Sequence, residues 1–197
     1  MNESAKPLTF LLSLLLIVPA VSCGRSEPPP LQDSAIGGPF ALIDQNGRTV
    51  RDSDFAGKYR IVYFGYIHCP DVCPTDLASI SQALSLLDKS DPKRAARVQP
   101  IFITVDPQRD TPTELKNYLA AFSPHLIGLT GTPAQIADVE KKFAVYARKG
   151  DVQPGGGYGM DHSRQIVLQG PKGEPVALLP DDQGPKGMAA ELARWVT

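Results

Sequence analysis

Residues 61–74 contain the feature that most limits how this 197-residue chain can fold, because an apolar and aromatic run leads directly into two cysteines. The run Ile61–Tyr66 is typical of a buried central strand, and Cys69 and Cys73 follow it. Pro74 favours the start of a helix, so we expect a strand, a cysteine-containing turn and a helix in succession. Both sulfurs are then expected near helix N–H groups, which stabilise a thiolate.

From Pro39 onward, turn signals separate apolar segments that alternate between strand-like and helix-like patterns. The expected strands are an N-terminal hairpin at 40–43 and 49–50, central strands at 61–66, 98–105 and 126–129, and a closing hairpin at 165–168 and 176–179. Helices are expected after Pro74, after Thr111, from Thr132 to near Ala147, and at 188–196. This order predicts an α/β, thioredoxin-like fold with an additional N-terminal β-hairpin and a C-terminal hairpin plus helix.

Two of these helices have a start signal of their own. Thr111-Pro112-Thr113-Glu114 and Thr132-Pro133-Ala134-Gln135 each place a threonine cap, a proline at the first helical position and an acid or amide at the third. Each pattern predicts a capping box.

Residues 1–23 are typical of an export signal, since Lys6 precedes an apolar run at 8–18 and small residues lead to Cys23. The run is shorter than the about 20 residues that a membrane span needs. Ala20-Val21-Ser22-Cys23 resembles a bacterial lipoprotein processing box and predicts lipid attachment at Cys23; an ordinary signal peptide and an uncleaved anchor are the alternatives. Residues 24–38 predict a flexible, Pro-rich tether, and residues 39–197 a single domain held on the periplasmic side of a bacterial membrane.

The charge balance excludes one class of partner. The chain carries 20 Lys and Arg against 21 Asp and Glu, and the two signs are interspersed. Nucleic-acid binding requires basic residues clustered on one face, so no nucleic-acid partner is expected.

The spacing Cys69-x-x-x-Cys73 fits metal binding, a disulfide or dithiol redox chemistry. Because Pro74 disfavours helical backbone at Cys73, we expect the pair to bracket an irregular turn ahead of the helix. A structural disulfide closing so small a loop would stabilise the fold little. The pair is therefore interpreted as reactive, either as metal ligands or as the catalytic redox pair of an oxidoreductase.

His162 is the histidine that we expect to join the cysteines, because residues 155–159 contain four glycines and predict a mobile loop before it. Two thiolates and an imidazole are soft enough for copper(I), and with an added oxygen ligand they can hold copper(II). His68 and His125 are interpreted as surface or packing residues.

Two acidic residues beside these side chains are candidates to orient them. Asp71 lies between the cysteines and Asp161 precedes His162, although a cap or turn role fits each equally well. Arg109, within residues 106–110, can position the cysteine loop, but an ion pair inside a strand-to-helix turn is the interpretation that we favour.

These motifs resemble those of the Sco/SenC family of copper-binding proteins, through residues 65–75, 106–112, 128–132 and 161–163, and the similarity covers roughly 38–196. The resemblance implies that Cys69, Cys73 and His162 bind copper. It also implies a metallochaperone, without turnover, that delivers copper to the binuclear copper centre of cytochrome c oxidase or maintains its thiols.

The partners implied are cytochrome c oxidase subunit II or another copper acceptor, with an upstream copper donor or thiol reductant. A membrane-tethered thiol-disulfide oxidoreductase and a copper or redox sensor are the alternative functions.

Overall fold

A computed structural model describes residues 27–152 and 156–197. The strands in this part of the chain are β1 (Ala41–Asp44), β2 (Thr49–Arg51), β3 (Tyr59–Gly65), β4 (Val98–Thr104), β5 (Ile127–Thr130), β6 (Ala147–Val152), β7 (Tyr158–His162), β8 (Ile166–Gln169) and β9 (Pro175–Leu179). The helices are α1 (Val72–Ser90), α2 (Pro92–Ala95), α3 (Pro112–Leu119), α4 (Pro133–Lys142) and α5 (Gly184–Trp195).

Seven strands form one sheet in the order β2-β1-β5-β4-β3-β8-β9. Strand β3 pairs in parallel with β4 and antiparallel with β8, and β8 pairs antiparallel with β9. These four strands have the arrangement of a thioredoxin-like sheet, and the hairpin β1–β2 extends it through β5. The predicted α/β thioredoxin-like fold with an added N-terminal hairpin is confirmed.

Strand β3 forms the centre of the core because both of its faces are covered. All seven of its residues are buried, and Ile61, Val62, Tyr63 and Phe64 have no exposed surface. Helix α1 packs against α5 and directs Leu77 into the core. A strand buried on both faces needs a continuous apolar run, which is what the sequence has at this position. The loop that carries the cysteines therefore leaves a rigid strand.

The two predicted capping boxes have different outcomes. At α4, the Thr132 hydroxyl accepts from the Gln135 N–H, and the Gln135 side chain accepts from the Thr132 N–H, so the box is complete. At α3, the Thr111 hydroxyl accepts from the Glu114 N–H. The Thr111 N–H donates instead to the Arg109 carbonyl, which leaves Glu114 without its half of the box.

Helix α4 ends earlier than predicted. It was expected to continue to near Ala147, but it ends at Lys142. Ala144 has a φ of 54°, in the left-handed region that L-residues seldom occupy, and the chain turns there to enter β6. Glycine is the usual residue at such a helix end, and because it is absent here no sequence signal marks the end of α4.

Strands β6 and β7 form a separate two-stranded sheet, which we name the histidine hairpin. The predicted mobile loop at 155–159 is wrong for Tyr158 and Gly159, which belong to β7; residues 153–155 lie outside the described part of the chain. His162 is the last residue of β7 and pairs with Ala147. It is thus carried by a strand and not by a loop.

The predicted signal, the lipid site Cys23 and the start of the tether fall within residues 1–26, outside the described residues. The remainder of the tether lies against the domain, since the Leu31 N–H donates to Val176 in β9 and the Gly37 N–H to Lys142. Glu27 forms an ion pair with Arg194 at the end of α5. None of the helices in residues 27–152 and 156–197 combines the length and apolar content needed to cross a membrane.

Candidate metal centre

A buried aspartate holds the loop between β3 and α1 in place. Asp110 accepts hydrogen bonds from the Ile67 N–H at 3.1 Å and from the Thr104 hydroxyl at 2.6 Å. Its second carboxylate oxygen lies 3.6 Å from Nδ1 of His68, which is itself half exposed. Asp110 therefore positions the cysteine loop. Arg109 forms an ion pair with Asp106 inside the turn, which is the role favoured for it from the sequence.

Cys69 lies in this loop, and Cys73 lies in the first turn of α1, which begins at Val72. Helical backbone at Cys73 corrects the prediction that Pro74 would keep both cysteines ahead of the helix. The Cys73 N–H is 3.4 Å from the Cys69 sulfur. Both thiols are free; Cys69 is partly exposed, whereas Cys73 is fully buried.

The two thiols differ in acidity, where the sequence predicted that both would favour the thiolate. Burial acts to raise the pKa of Cys69, but hydrogen bonds from the N–H groups of Asp71, Cys73 and Val72 outweigh it, and the net pKa is lowered. Burial raises the pKa of the Cys73 thiol to about 12. At neutral pH the easily formed thiolate is thus at Cys69.

His162 lies beside the buried thiol. Its Nε2 is 3.5 Å from the Cys73 sulfur, across 89 positions of sequence. Its Nδ1 is 2.8 Å from the Ser163 carbonyl oxygen, which can only accept, so Nδ1 carries a proton. Burial lowers the pKa of the imidazole and keeps it neutral, and a neutral ring with a proton on Nδ1 directs the Nε2 lone pair to the sulfur.

Aromatic and polar side chains fix this arrangement. Tyr66 meets the His162 ring edge to face, with centroids 5.9 Å apart. Beneath Cys73, the Tyr63 hydroxyl donates to the buried Asp76 at 2.9 Å, and Arg164 donates to the same carboxylate at 2.9 Å. The Asp76–Arg164 pair joins helix α1 to the chain just after His162, and nothing in the sequence pattern marked it.

Asp71 and Asp161, the carboxylates expected to orient the ligands, are both exposed. Asp161 pairs with Arg148 across the histidine hairpin at 3.1 Å, and the Asp71 carbonyl accepts from the Thr75 hydroxyl. Among the hydrogen bonds of the described residues, none links either carboxylate to the cysteines or to His162.

The structure brings Cys73 and His162 together, and the Cys69 sulfur lies beside Cys73, 3.4 Å from its N–H. Within residues 27–152 and 156–197, no three His, Cys, Asp or Glu side chains are already converged as a metal site. Cys69 is partly exposed and adjoins the Cys73–His162 pair, so it is the third candidate ligand.

Comparison with known proteins agrees with this geometry. A protein-family model described as SCO1/SenC matches residues 28–197. The chain belongs to the SCO1/SenC family. This membership confirms the resemblance inferred from the motifs around Cys69, Cys73 and His162.

Two relatives show how far the similarity of this SCO1/SenC member extends. Mitochondrial protein SCO2 of Saccharomyces cerevisiae is 45% identical over 141 residues, which are 71% of this chain and 46% of that protein. The chain thus spans about half the length of this curated relative. A structure of Bradyrhizobium japonicum ScoI with copper bound is 48% identical in sequence and has a TM-score of 0.73. The match covers 81% of this chain and 99% of that one.

A third structure is similar at the level of the fold alone. BsSco, described with a disulfide switch and as a member of the Sco family of cytochrome c oxidase assembly proteins, is 21% identical and has a TM-score of 0.63. The match covers 79% of this chain and 90% of that one.

Proposed function

We propose that this protein is a copper metallochaperone, which binds copper through Cys69, Cys73 and His162 and passes it to an acceptor without turnover. The observation that carries the proposal is the 3.5 Å approach of the neutral His162 Nε2 to the Cys73 sulfur. A buried sulfur and an imidazole lone pair facing each other at the end of a central strand make half of a soft metal site.

Cys69 supplies the other half. The pKa of Cys69 is lowered and that of Cys73 is raised, so Cys69 is the first of the two thiols to give up its proton to an arriving metal. Copper(I) favours thiolate ligands, and the attraction of the bound cation then promotes deprotonation of Cys73. Copper(II) would be held by the same three side chains together with an oxygen ligand.

Transfer to an acceptor follows from the difference in exposure between the ligands. Cys69 is reachable from solvent, whereas Cys73 is buried, so an incoming ligand meets the copper from the side of Cys69. From the family, we propose the binuclear copper centre of cytochrome c oxidase, in subunit II, as the acceptor. An upstream copper donor or thiol reductant would prepare the site.

Copper(I) titration of the reduced protein, in competition with a chromophoric chelator, tests this assignment. We expect one equivalent bound by the unaltered protein, and at least a hundredfold loss of affinity in Cys69→Ala, Cys73→Ala and His162→Ala. His125→Ala is the matched control, because this histidine is exposed and the hydrogen bond that it accepts from Gln99 goes to its backbone carbonyl, which the substitution keeps. Unchanged binding in all three ligand variants would refute the proposal.

A second function, thiol-disulfide exchange, is favoured by the acidity difference between the cysteines. The Cys69 thiolate would attack a substrate disulfide and form a mixed disulfide, and the Cys73 sulfur would displace the substrate thiolate. The products are a Cys69–Cys73 disulfide and a reduced substrate, with both electrons supplied by the dithiol. His162→Ala distinguishes the two functions, because it would lose copper affinity while retaining disulfide reduction.

For localisation, we propose that the domain lies on the periplasmic side of a bacterial membrane and is attached through a lipid on Cys23. Mass spectrometry of the mature N-terminus tests this directly. A diacylglyceryl mass on Cys23 is expected, and an unmodified thiol there would contradict it.

A further inference from the structure

On its C-terminal side, the strand that carries His162 is held to the domain by an ion pair between an exposed arginine and a buried carboxylate. Arg164, two residues after His162, donates to Asp76 at 2.9 Å, and this carboxylate is almost fully buried. Asp76 lies on α1, one turn after Cys73. The hydrogen bond is charge-assisted, and a buried carboxylate left without its partner is costly. This end of the strand therefore stays attached to the helix that carries Cys73.

On its N-terminal side, the same strand is held by the Met160 side chain, which packs against the core, and by the hydrogen bond of Tyr158. The Tyr158 hydroxyl donates to Asp106 at 3.0 Å, and its ring lies between Arg109, at 3.6 Å from the centroid, and Lys149, at 3.8 Å. Arg109 also pairs with Asp106 through its Nε. Three contacts thus converge on the Tyr158 side chain, and we name this group the tyrosine latch.

Tyr158 and His162 lie on the same side of β7. Residues at positions i and i+4 of a strand face the same way, and Tyr158, Met160 and His162 are partly buried whereas Gly159 and Asp161 are exposed. A movement of the strand away from the domain at Tyr158 is therefore transmitted to the imidazole on the same face.

The histidine hairpin has little else to hold it. It is a two-stranded sheet that is not hydrogen-bonded to the seven-stranded one, and such an isolated pair of strands is only marginally stable in water. Strand β6 has no fully buried residue. The C-terminal end of β7 is tied to the seven-stranded sheet by the chain itself, because β8 begins at Ile166 and pairs with β3. The end at Tyr158 has no such covalent tie, so opening of the hairpin begins at the tyrosine latch.

We propose that Tyr158 is a positioning residue, which through Asp106 and Arg109 sets how long the His162 imidazole stays beside the Cys73 sulfur. With the latch closed, His162 completes the copper site. With the latch open, the strand pivots about its Arg164 end, the imidazole leaves, and copper remains on two sulfurs that an acceptor can reach. This role rests on the proposed function, because it describes how the same site releases its metal.

The rate at which a chelator removes copper(I) from the loaded protein tests the latch. Tyr158→Phe keeps the stacked ring and loses only the hydrogen bond to Asp106, and we expect roughly five- to tenfold faster removal. Tyr146→Phe is the matched control, because Tyr146 precedes the hairpin, is 57% exposed and has no hydroxyl hydrogen bond within the described residues. It should release copper at the unaltered rate.

A double substitution separates a role that acts through His162 from a general loosening of the fold. In a His162→Ala background, Tyr158→Phe should no longer change the release rate, because the group that the latch positions is absent. Equal release by Tyr158→Phe and the unaltered protein, or an effect of the same size in the His162→Ala background, would overturn the proposal.

The rate of alkylation of Cys73 tests the tyrosine latch without copper, so it applies even if the chain binds no metal. Opening the hairpin uncovers the buried Cys73 sulfur, so alkylation of Cys73, followed by mass spectrometry of its peptide, should be at least fivefold faster in Tyr158→Ala. The thermal unfolding midpoint of each variant shows whether the whole domain is destabilised. Tyr158→Phe is measured alongside because it is the milder substitution. Unchanged Cys73 alkylation in both variants would refute the latch and leave the metallochaperone proposal to its own titration.

Discussion

The cysteines and His162 lie on parts of the molecule that differ greatly in packing. Cys69 and Cys73 follow β3, a strand with every residue buried between parallel and antiparallel neighbours. His162 ends a strand of the histidine hairpin, where β6 exposes most of its residues. The buried Cys73 sulfur thus follows a tightly packed strand and the imidazole a loosely packed one, a division that suits the proposed release of copper.

The largest expected effect is on the free energy of unfolding, when one side chain in each of the two regions is truncated to alanine. Phe64→Ala removes a fully buried ring that packs against Phe143, 5.3 Å away between centroids, and should lower the free energy of unfolding by about 3–5 kcal/mol. Val152→Ala, in a residue that is 64% exposed, should change it by less than about 0.5 kcal/mol. Urea denaturation measures both, and similar values for the two would remove the contrast.

Hydrogen exchange tests the same contrast without substitution. Amides of β3 should exchange only on global unfolding, whereas those of β6 and β7 should exchange through local opening, roughly a hundredfold faster or more. Mass-spectrometric or NMR exchange at neutral pH resolves the two sets. Equal protection would mean that the hairpin opens only with the whole domain, and the difference in mobility would not exist.

Glycine substitutions compare the two regions at single positions. A methyl group on Gly65 would lie 3.0 Å from the Phe102 ring and 3.1 Å from the Cys73 sulfur, so Gly65→Ala should cost about 1–3 kcal/mol and displace that sulfur. Gly157→Ala is the control, since a methyl group there meets no atom within 4 Å. Thermal unfolding and copper(I) titration of both variants check the prediction, and a neutral Gly65→Ala would contradict it.

The smallest effect concerns Glu140, which lines a cavity of about 170 Å³ between α4 and the histidine hairpin. Burial raises the pKa of its carboxyl to about 7. Because the folded state holds this proton more tightly than the unfolded state, stability falls as pH rises from about 4.5 to about 7. Glu140→Gln should therefore gain about 1 kcal/mol at pH 8, after allowance for solvent screening, and nothing at pH 4.

Urea denaturation of Glu140→Gln at both pH values makes this measurement, with Glu114→Gln, on the exposed face of α3, as the control. A gain of equal size at pH 4 and pH 8 would exclude ionisation as its cause.

The central sheet could be predicted from the sequence because its signals are local. A continuous apolar run gave β3, and the Asn46-Gly47 turn, where Gly47 has a φ of 78°, gave the hairpin β1–β2. The helix starts at Thr111 and Thr132 were likewise specified by neighbouring residues.

The histidine hairpin could not be predicted for the opposite reason. Strand β6 reads Ala-Arg-Lys-Gly-Asp-Val, with no alternation of apolar and polar residues, since neither of its faces enters the core. The early end of α4 depends on the φ of Ala144, a residue type that gives no such signal.

Within the site, the residue types were predictable and their environments were not. The cysteine spacing and the resemblance identified Cys69, Cys73 and His162, but the acidity of each thiol depends on long-range burial. Cys73 is covered by side chains from β3, including Tyr63, and by His162 from the far end of the sequence. Tyr158 was noted only as part of a glycine-rich stretch, because its partners Asp106 and Arg109 lie about 50 positions away.

The contact between Glu27 and Arg194 has a geometric consequence for any acceptor. Thr197, just after α5, meets the Tyr59 hydroxyl at the first residue of β3, whereas the cysteine loop follows the last residue of that strand. Seven residues of strand put the two ends roughly 20 Å apart. Glu27 therefore lies near the end of β3 that is opposite the cysteine loop. If the domain is attached through the chain that precedes Glu27, as proposed above, the sulfurs lie on the side of the domain away from the attachment.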